Sequence, residues 1–68
     1  MANNDEKTYP TILRLCGVER RTGFKKSYIY ELIQKNQFPP SIRIGAHTVG
    51  WNSIDVDNWI VKRLANIN

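Results

Sequence analysis

The side chains best suited to chemistry in this chain are concentrated in one short segment. Within positions 25 to 34 these side chains are Lys25, Lys26, Ser27, Tyr30 and Gln34. At about 100° per residue of a helix, all of these except Lys25 fall on one side, opposite an apolar stripe. Cations, hydroxyls and amides hold phosphates and read base edges, so the segment is a candidate DNA contact. Taken by itself, the pattern fits an ordinary solvent-facing helix surface better than a DNA contact. The neighbouring elements must decide between the two.

Metal and nucleophile chemistry has little support in the sequence. Cys16 and His47 are the only side chains of that kind outside the carboxylates, and they fall on different predicted elements. Asp55 and Asp57 point to different faces of a predicted helix, and acids in a first turn are explained by the helix dipole. We therefore predict no catalytic residue, no metal site and no cofactor, and we expect that the protein is not an enzyme.

Length and charge narrow the class of protein. A chain of 68 residues builds one domain with a modest core. Residues 14–52 carry seven lysines and arginines against two glutamates, for a net charge of +5, whereas residues 1–13 have a net charge of −1. A localised basic segment suits a polyanion such as DNA. The single cysteine fits a reducing compartment, and no apolar run is long enough for a signal peptide or membrane span, so we expect a cytoplasmic protein with no membrane partner.

The elements that must position these side chains follow from turn signals and periodicity. Residues 1–10 are predicted to be a flexible arm, followed by a short extended piece at 11–14. A short helix from Leu15 to Thr22 ends at Gly23, which suits the left-handed position after a helix. A second helix is predicted over residues 25–36, before two prolines that forbid its continuation.

The remaining residues predict a hairpin and a third helix. Two β-prone runs, 41–44 and 49–52, flank a turn led by Gly45. We expect His47 and Thr48 at its tip to reach DNA, with Arg43 at its base. Asn52 or Ser53 is predicted to cap the third helix, whose buried face comprises Val56, Trp59, Ile60 and Leu64. Trp51 and Trp59 are assigned to the core rather than to base stacking. The order helix, tight turn, helix, hairpin, helix predicts a mainly α winged helix-turn-helix domain over residues 11–68.

Most of the chain also resembles a known family. The pieces that carry the resemblance are Leu13–Leu15, Arg21–Phe24, Ser27–Ile33, Phe38–Pro39, Ile42–Gly45, Val49–Trp51 and Asp55–Ile60. In this order and spacing they are similar to the AlpA family of prophage regulators, relatives of phage excisionases with a MerR-like winged helix. Lys25 stands where the family usually has a small hydroxyl residue, and His47 stands where an arginine is frequent. The resemblance implies site-specific DNA binding, with control of transcription or of excision as its output.

Two hypotheses therefore stand at this point. The first is a sequence-specific regulator of a prophage or integrative element that binds double-stranded DNA, with Arg21 of the basic first helix among its contacts. An integrase or RNA polymerase is a candidate protein partner, and a cooperative multimer on DNA is a candidate assembly. The alternative is a small protein-interaction module, such as an anti-regulator that grips a response regulator or an integrase. Binding to duplex DNA discriminates the two.

Overall fold

The computed structural model describes residues 9–66 and contains three helices and three short strands. In chain order they are β1 (Ile12–Leu13), α1 (Leu15–Thr22), α2 (Lys26–Gln34), β2 (Ile42–Gly45), β3 (Thr48–Asn52) and α3 (Ser53–Ala65). This order confirms the predicted mainly α, winged helix-turn-helix fold. Residues 1–8 of the predicted arm lie outside the described part of the chain.

The turn between α1 and α2 forms as predicted. Gly23 has φ 80°, a left-handed conformation that costs glycine little, and its N–H donates to the Glu19 carbonyl at 2.8 Å. The Thr22 hydroxyl donates to the Val18 carbonyl at 2.8 Å and accepts the Phe24 N–H at 3.1 Å. These bonds fix a three-residue turn, 23–25, of the length that joins the two helices of a helix-turn-helix motif.

The second helix is shorter than the predicted 25–36. Lys25 is extended, with φ −93° and ψ 164°, and serves as the N-cap. At the other end Asn36 has φ 60°, which stops the helix. The Asn36 N–H donates to Ile33 O at 3.0 Å and the Gln37 N–H to Leu32 O at 2.8 Å, the paired bonds of a Schellman ending. The stop therefore comes from a left-handed asparagine, ahead of the two prolines.

The three strands form one antiparallel sheet with the order β1-β3-β2. The extended piece expected at 11–14 contributes β1, in which Ile12 lies opposite Asn52. Buried Ser53 joins this strand to α3: its N–H donates to Thr11 O at 2.9 Å, and its hydroxyl accepts the Thr11 N–H at 2.8 Å. The predicted hairpin is thus widened to three strands by the segment that precedes α1.

The third helix begins and ends with favourable polar groups, as predicted. The Asn52 side chain accepts the Ile54 N–H at 2.9 Å, so Asn52 is the N-cap. Asp55 lies in the first turn, and Lys62 and Arg63 lie in the last, where their charges match the helix dipole. Asp57 was also expected in the first turn, but it lies beyond it and pairs with Arg21.

The core lies between the sheet and the helices and consists of Leu13, Val18, Ile29, Leu32, Phe38, Trp51 and Val56. The prediction of Trp51 in the core is confirmed, whereas Trp59 and Ile60 are only partly buried against it. The prediction that Leu64 is buried is wrong, since 64% of it is exposed. The last turn of α3 runs past the elements that would cover it. No helix in residues 9–66 has the length and apolar character needed to cross a membrane.

Candidate nucleic-acid interface

The second helix has one apolar side and one polar side, as its periodicity predicts. Ile29 is fully buried, while all four predicted contact residues of the polar side are exposed, namely Lys26, Ser27, Tyr30 and Gln34. Within residues 9–66 none of these four makes a side-chain hydrogen bond or an ion pair. The polar side of α2 therefore presents one ammonium, two hydroxyls and one amide free to bind a ligand.

The start of α2 is suited to an anion. No side chain accepts a hydrogen bond from the first turn, because the N-cap is Lys25 rather than a serine, threonine or aspartate. The first N–H groups of a helix have no partner within the helix and carry partial positive charge. Lys25 and Lys26 add two full charges beside them, and neither is paired within the described residues. A phosphate oxygen would satisfy both the N–H groups and the lysines.

The alternation of strand residues places Arg43 on the same side of the hairpin as α2. Arg43 lies opposite Val49, and Val49 shares a strand face with Trp51 because the two are two residues apart. Trp51 is buried, and its ring centroid lies 6.4 Å from that of Tyr30 on α2. The hairpin face that carries Arg43 thus adjoins the polar side of α2 at Tyr30. Arg43 is itself exposed, so its guanidinium is accessible on this side.

The tip of the hairpin differs in one respect from the prediction. Ala46 and His47 form the turn and are exposed, as expected. Thr48 was predicted at the tip, but it is the first residue of β3, is partly buried, and pairs with Gly45. Alternation puts Thr48 on the same face as Gly50, away from Arg43. Only two side chains therefore project from the tip.

Arg21 does not join this surface as a free cation. Its Nη1 lies 2.7 and 2.8 Å from the two carboxylate oxygens of Asp57, so the side chain ties the end of α1 to α3. Both side chains are about half exposed, and such a pair contributes little to stability, about 0–1 kcal/mol. Lys35 is likewise paired, with Glu31 one turn earlier at 3.0 Å. Arg21 as a DNA contact stays a prediction.

Two indole groups hold the connection between α2 and the hairpin, a role that the sequence reasoning missed. Trp51 Nε1 donates to the Pro39 carbonyl at 3.0 Å, and Trp59 Nε1 donates to the Gln37 carbonyl at 2.7 Å. Phe38, between these two carbonyls, is 4% exposed and packs edge-on against Trp59 at a centroid distance of 4.8 Å. The connection is therefore anchored at three consecutive residues, which fixes the hairpin relative to α2. The only sequence signal was an aromatic residue just before two prolines.

Between residues 9 and 66 no three histidine, cysteine, aspartate or glutamate side chains lie close enough to hold a metal ion. Cys16 is exposed on α1 and makes no disulfide.

Comparisons with known proteins find one family model and two curated relatives. A family model described as "Prophage CP4-57 regulatory protein (AlpA)" matches residues 11–64. The chain is 39% identical to "Uncharacterized protein ORF88" of Enterobacteria phage P4 over 56 residues, which are 82% of this chain and 57% of that protein. It is 31% identical to "DNA-binding transcriptional activator AlpA" of Escherichia coli strain K12 over 58 residues, 76% of this chain and 83% of that protein.

The coverage of these matches differs between the two relatives. The chain spans little more than half the length of the phage P4 protein. No solved structure matches the present chain. The family model, however, covers every element from β1 to all but the last residue of α3, including the helix-turn-helix and the hairpin. The chain therefore belongs to the AlpA family of prophage regulatory proteins.

Proposed function

We propose that this protein binds double-stranded DNA sequence-specifically and thereby regulates a prophage or integrative element. The observation that carries the proposal is the exposed polar side of α2, whose four side chains lack partners in the described residues and adjoin the Arg43 face of the hairpin. The helix-turn-helix layout supports the proposal, because the second helix of that motif is the one that enters the major groove.

In this proposal α2 and the hairpin contact different parts of the DNA. Lys26, Ser27, Tyr30 and Gln34 read base edges in the major groove, where ammonium, hydroxyl and amide groups find matching acceptors and donors. Lys25 and the N–H groups at the start of α2 hold a phosphate. Arg43 and His47 contact the flanking backbone, which sets orientation and carries no sequence information.

Two outputs are compatible with this mode of binding. The Escherichia coli relative is named as a transcriptional activator, which supports control of a promoter. Control of excision, with an integrase as partner, requires sites beside an attachment site, and bending of DNA serves both outputs. Footprinting across a promoter and the neighbouring attachment site separates them, because an activator protects sequence upstream of the promoter and an excision factor protects the attachment-site arm.

The DNA proposal itself is tested by selection. Duplexes that bind the protein are selected from a random library, and the affinity for a selected duplex is compared with that for a scrambled one at fixed salt. A specific binder prefers its site by about 10³-fold or more at physiological salt. Equal affinity for both duplexes contradicts sequence-specific recognition. Absence of binding even at low salt contradicts DNA binding altogether and favours the protein-interaction module instead.

A further inference from the structure

A groove lies between the turn that precedes α2 and the last turns of α3. Its volume is about 280 Å³, and the residues that line it are Thr22, Phe24, Trp59, Ile60, Arg63 and Leu64. One cation is among these residues, Arg63, and no acidic side chain is. We call this surface the Trp59 groove, after the largest side chain that lines it.

Arg63 is held in position to bind an anion. Its Cζ lies 5.0 Å from the centroid of the Trp59 ring, a cation–π contact. Trp59 is itself fixed by its hydrogen bond to the Gln37 carbonyl and its edge-on packing against Phe38. A guanidinium stacked on a fixed ring loses less freedom on binding, and its fork of N–H groups matches both oxygens of a carboxylate. No carboxylate of residues 9–66 forms an ion pair with Arg63.

The apolar residues beside this cation define the kind of ligand that fits. Ile60 and Leu64 are one helical turn apart on α3 and flank Arg63, and Leu64 is 64% exposed. A DNA phosphate suits the cation, but it would cover these apolar side chains with a polar group and gain nothing from them. The volume falls below the usual range of small-ligand pockets, about 300–1,000 Å³. A protein segment with an apolar side chain next to a carboxylate matches both parts of the groove.

The Trp59 groove lies away from the side of α2 that is proposed to contact DNA. Phe24, which lines the groove, packs edge-on against Tyr28 at a centroid distance of 4.8 Å and lies 6.1 Å from Trp59. Two residues correspond to a rotation of about 200° around a helix, so Tyr28 and Tyr30 point in nearly opposite directions. A protein bound in the groove therefore leaves the polar side of α2 uncovered.

We propose that the Trp59 groove binds an acidic segment of a partner protein, with an apolar side chain against Ile60 and Leu64 and a neighbouring carboxylate on Arg63. The net charge of +4 favours the approach of such a segment. The inference rests on the proposed function in one respect: binding of DNA by α2 makes the groove a place where the partner is brought to the same duplex.

The test uses a library of random peptides, displayed and selected on the parent protein without DNA at about 0.15 M salt, where distant charges are largely screened. Selected peptides are then titrated against variants. Arg63→Gln and Leu64→Gln alter the groove. Lys62→Gln is the matched control, because it removes the same charge one residue earlier, from a side chain that lines a different groove with Asp55. All three residues are exposed, and an unchanged thermal transition shows that each variant is folded.

The expected result has three parts. The selected peptides share aspartate or glutamate next to an apolar residue. Arg63→Gln and Leu64→Gln each weaken binding of these peptides by about 5- to 10-fold, the effect of one charged hydrogen bond or one partly buried side chain, whereas Lys62→Gln weakens it by less than about twofold. Addition of a selected one-site duplex leaves the peptide affinity unchanged, because the two ligands bind different sides of the protein.

The outcomes that overturn the inference differ from those that overturn DNA binding. A library that yields no binder, or binders without acidic residues, overturns it. Equal losses in Lys62→Gln and Arg63→Gln overturn it too, since the charge then acts only at long range. A weaker affinity of Arg63→Gln for the duplex assigns the cation to DNA, and displacement of the peptide by the duplex overturns joint binding. Failure of the parent to bind the duplex is failure of the proposed function, and the titrations without DNA still decide whether the groove binds acidic peptides.

Discussion

Replacement of each tryptophan by phenylalanine makes the same chemical change in two different environments. Both indoles donate to carbonyl groups of the connection between α2 and β2, Trp51 to Pro39 and Trp59 to Gln37. Trp51 is 2% exposed, whereas Trp59 is only partly buried, and its hydrogen bond is open to solvent. We expect Trp51→Phe to lower the free energy of unfolding much more than Trp59→Phe.

The magnitudes follow from these environments. At Trp59 water replaces the lost donor, so the cost is that of one net hydrogen bond, about 0.5–1.5 kcal/mol. At Trp51 the partly buried Pro39 carbonyl loses its partner and the smaller ring leaves a void, so the cost is about 2–4 kcal/mol. A change of 1 kcal/mol shifts the Tm of a domain of this size by roughly 4–8 °C. Trp51→Phe therefore lowers Tm by about 8–32 °C, against about 2–12 °C for Trp59→Phe.

The assay is thermal and urea unfolding followed by far-ultraviolet circular dichroism. Tyr28→Phe serves as the control, because Tyr28 is 39% exposed and its hydroxyl makes no hydrogen bond within the described residues, so its Tm should stay within a few degrees of the parent value. If Trp59→Phe lowers Tm as much as Trp51→Phe does, burial does not determine how much these hydrogen bonds stabilise the fold. The reasoning is then refuted.

Three further predictions concern DNA. Lys26→Ala and Tyr30→Ala should weaken binding to a selected duplex by about 1–3 kcal/mol, and binding to a random duplex by less. Equal losses on the two duplexes in a competition titration would show that both side chains contact only the DNA backbone. His47→Arg should tighten binding to every duplex and steepen the slope of log affinity against log salt by about 0.9, the value for one added phosphate contact; an unchanged slope would remove the hairpin tip from the interface. Asp57→Asn releases Arg21 at a cost of at most about 1 kcal/mol in stability, and it should steepen the same slope, whereas an unaltered slope would show that Arg21 only joins α1 to α3.

Local features of this protein followed from the sequence alone. The bounds of α1 and the left-handed Gly23 after it were predicted correctly, and the cap of α3 was narrowed to Asn52 or Ser53, because each depends on the dihedral preferences or hydrogen bonds of residues a few positions apart. The division of α2 into a polar and an apolar side was also predictable, since it depends only on the helical period. The end of α2 at Gln34, two residues before the predicted end at Asn36, was not, because asparagine adopts the left-handed conformation that Asn36 has here less regularly than glycine does.

The tertiary structure decided how distant segments meet. Only the folded chain shows that residues 12 and 13 pair with β3, that Arg21 is held by Asp57, and that the indole of Trp59 anchors Gln37. The partners in these contacts are 22 to 40 positions apart, so no periodicity or local propensity links them. The exposure of Leu64 has the same origin. Helical spacing tells which side of a helix is apolar, but whether that side is covered depends on where the neighbouring elements end, which packing of the whole chain determines.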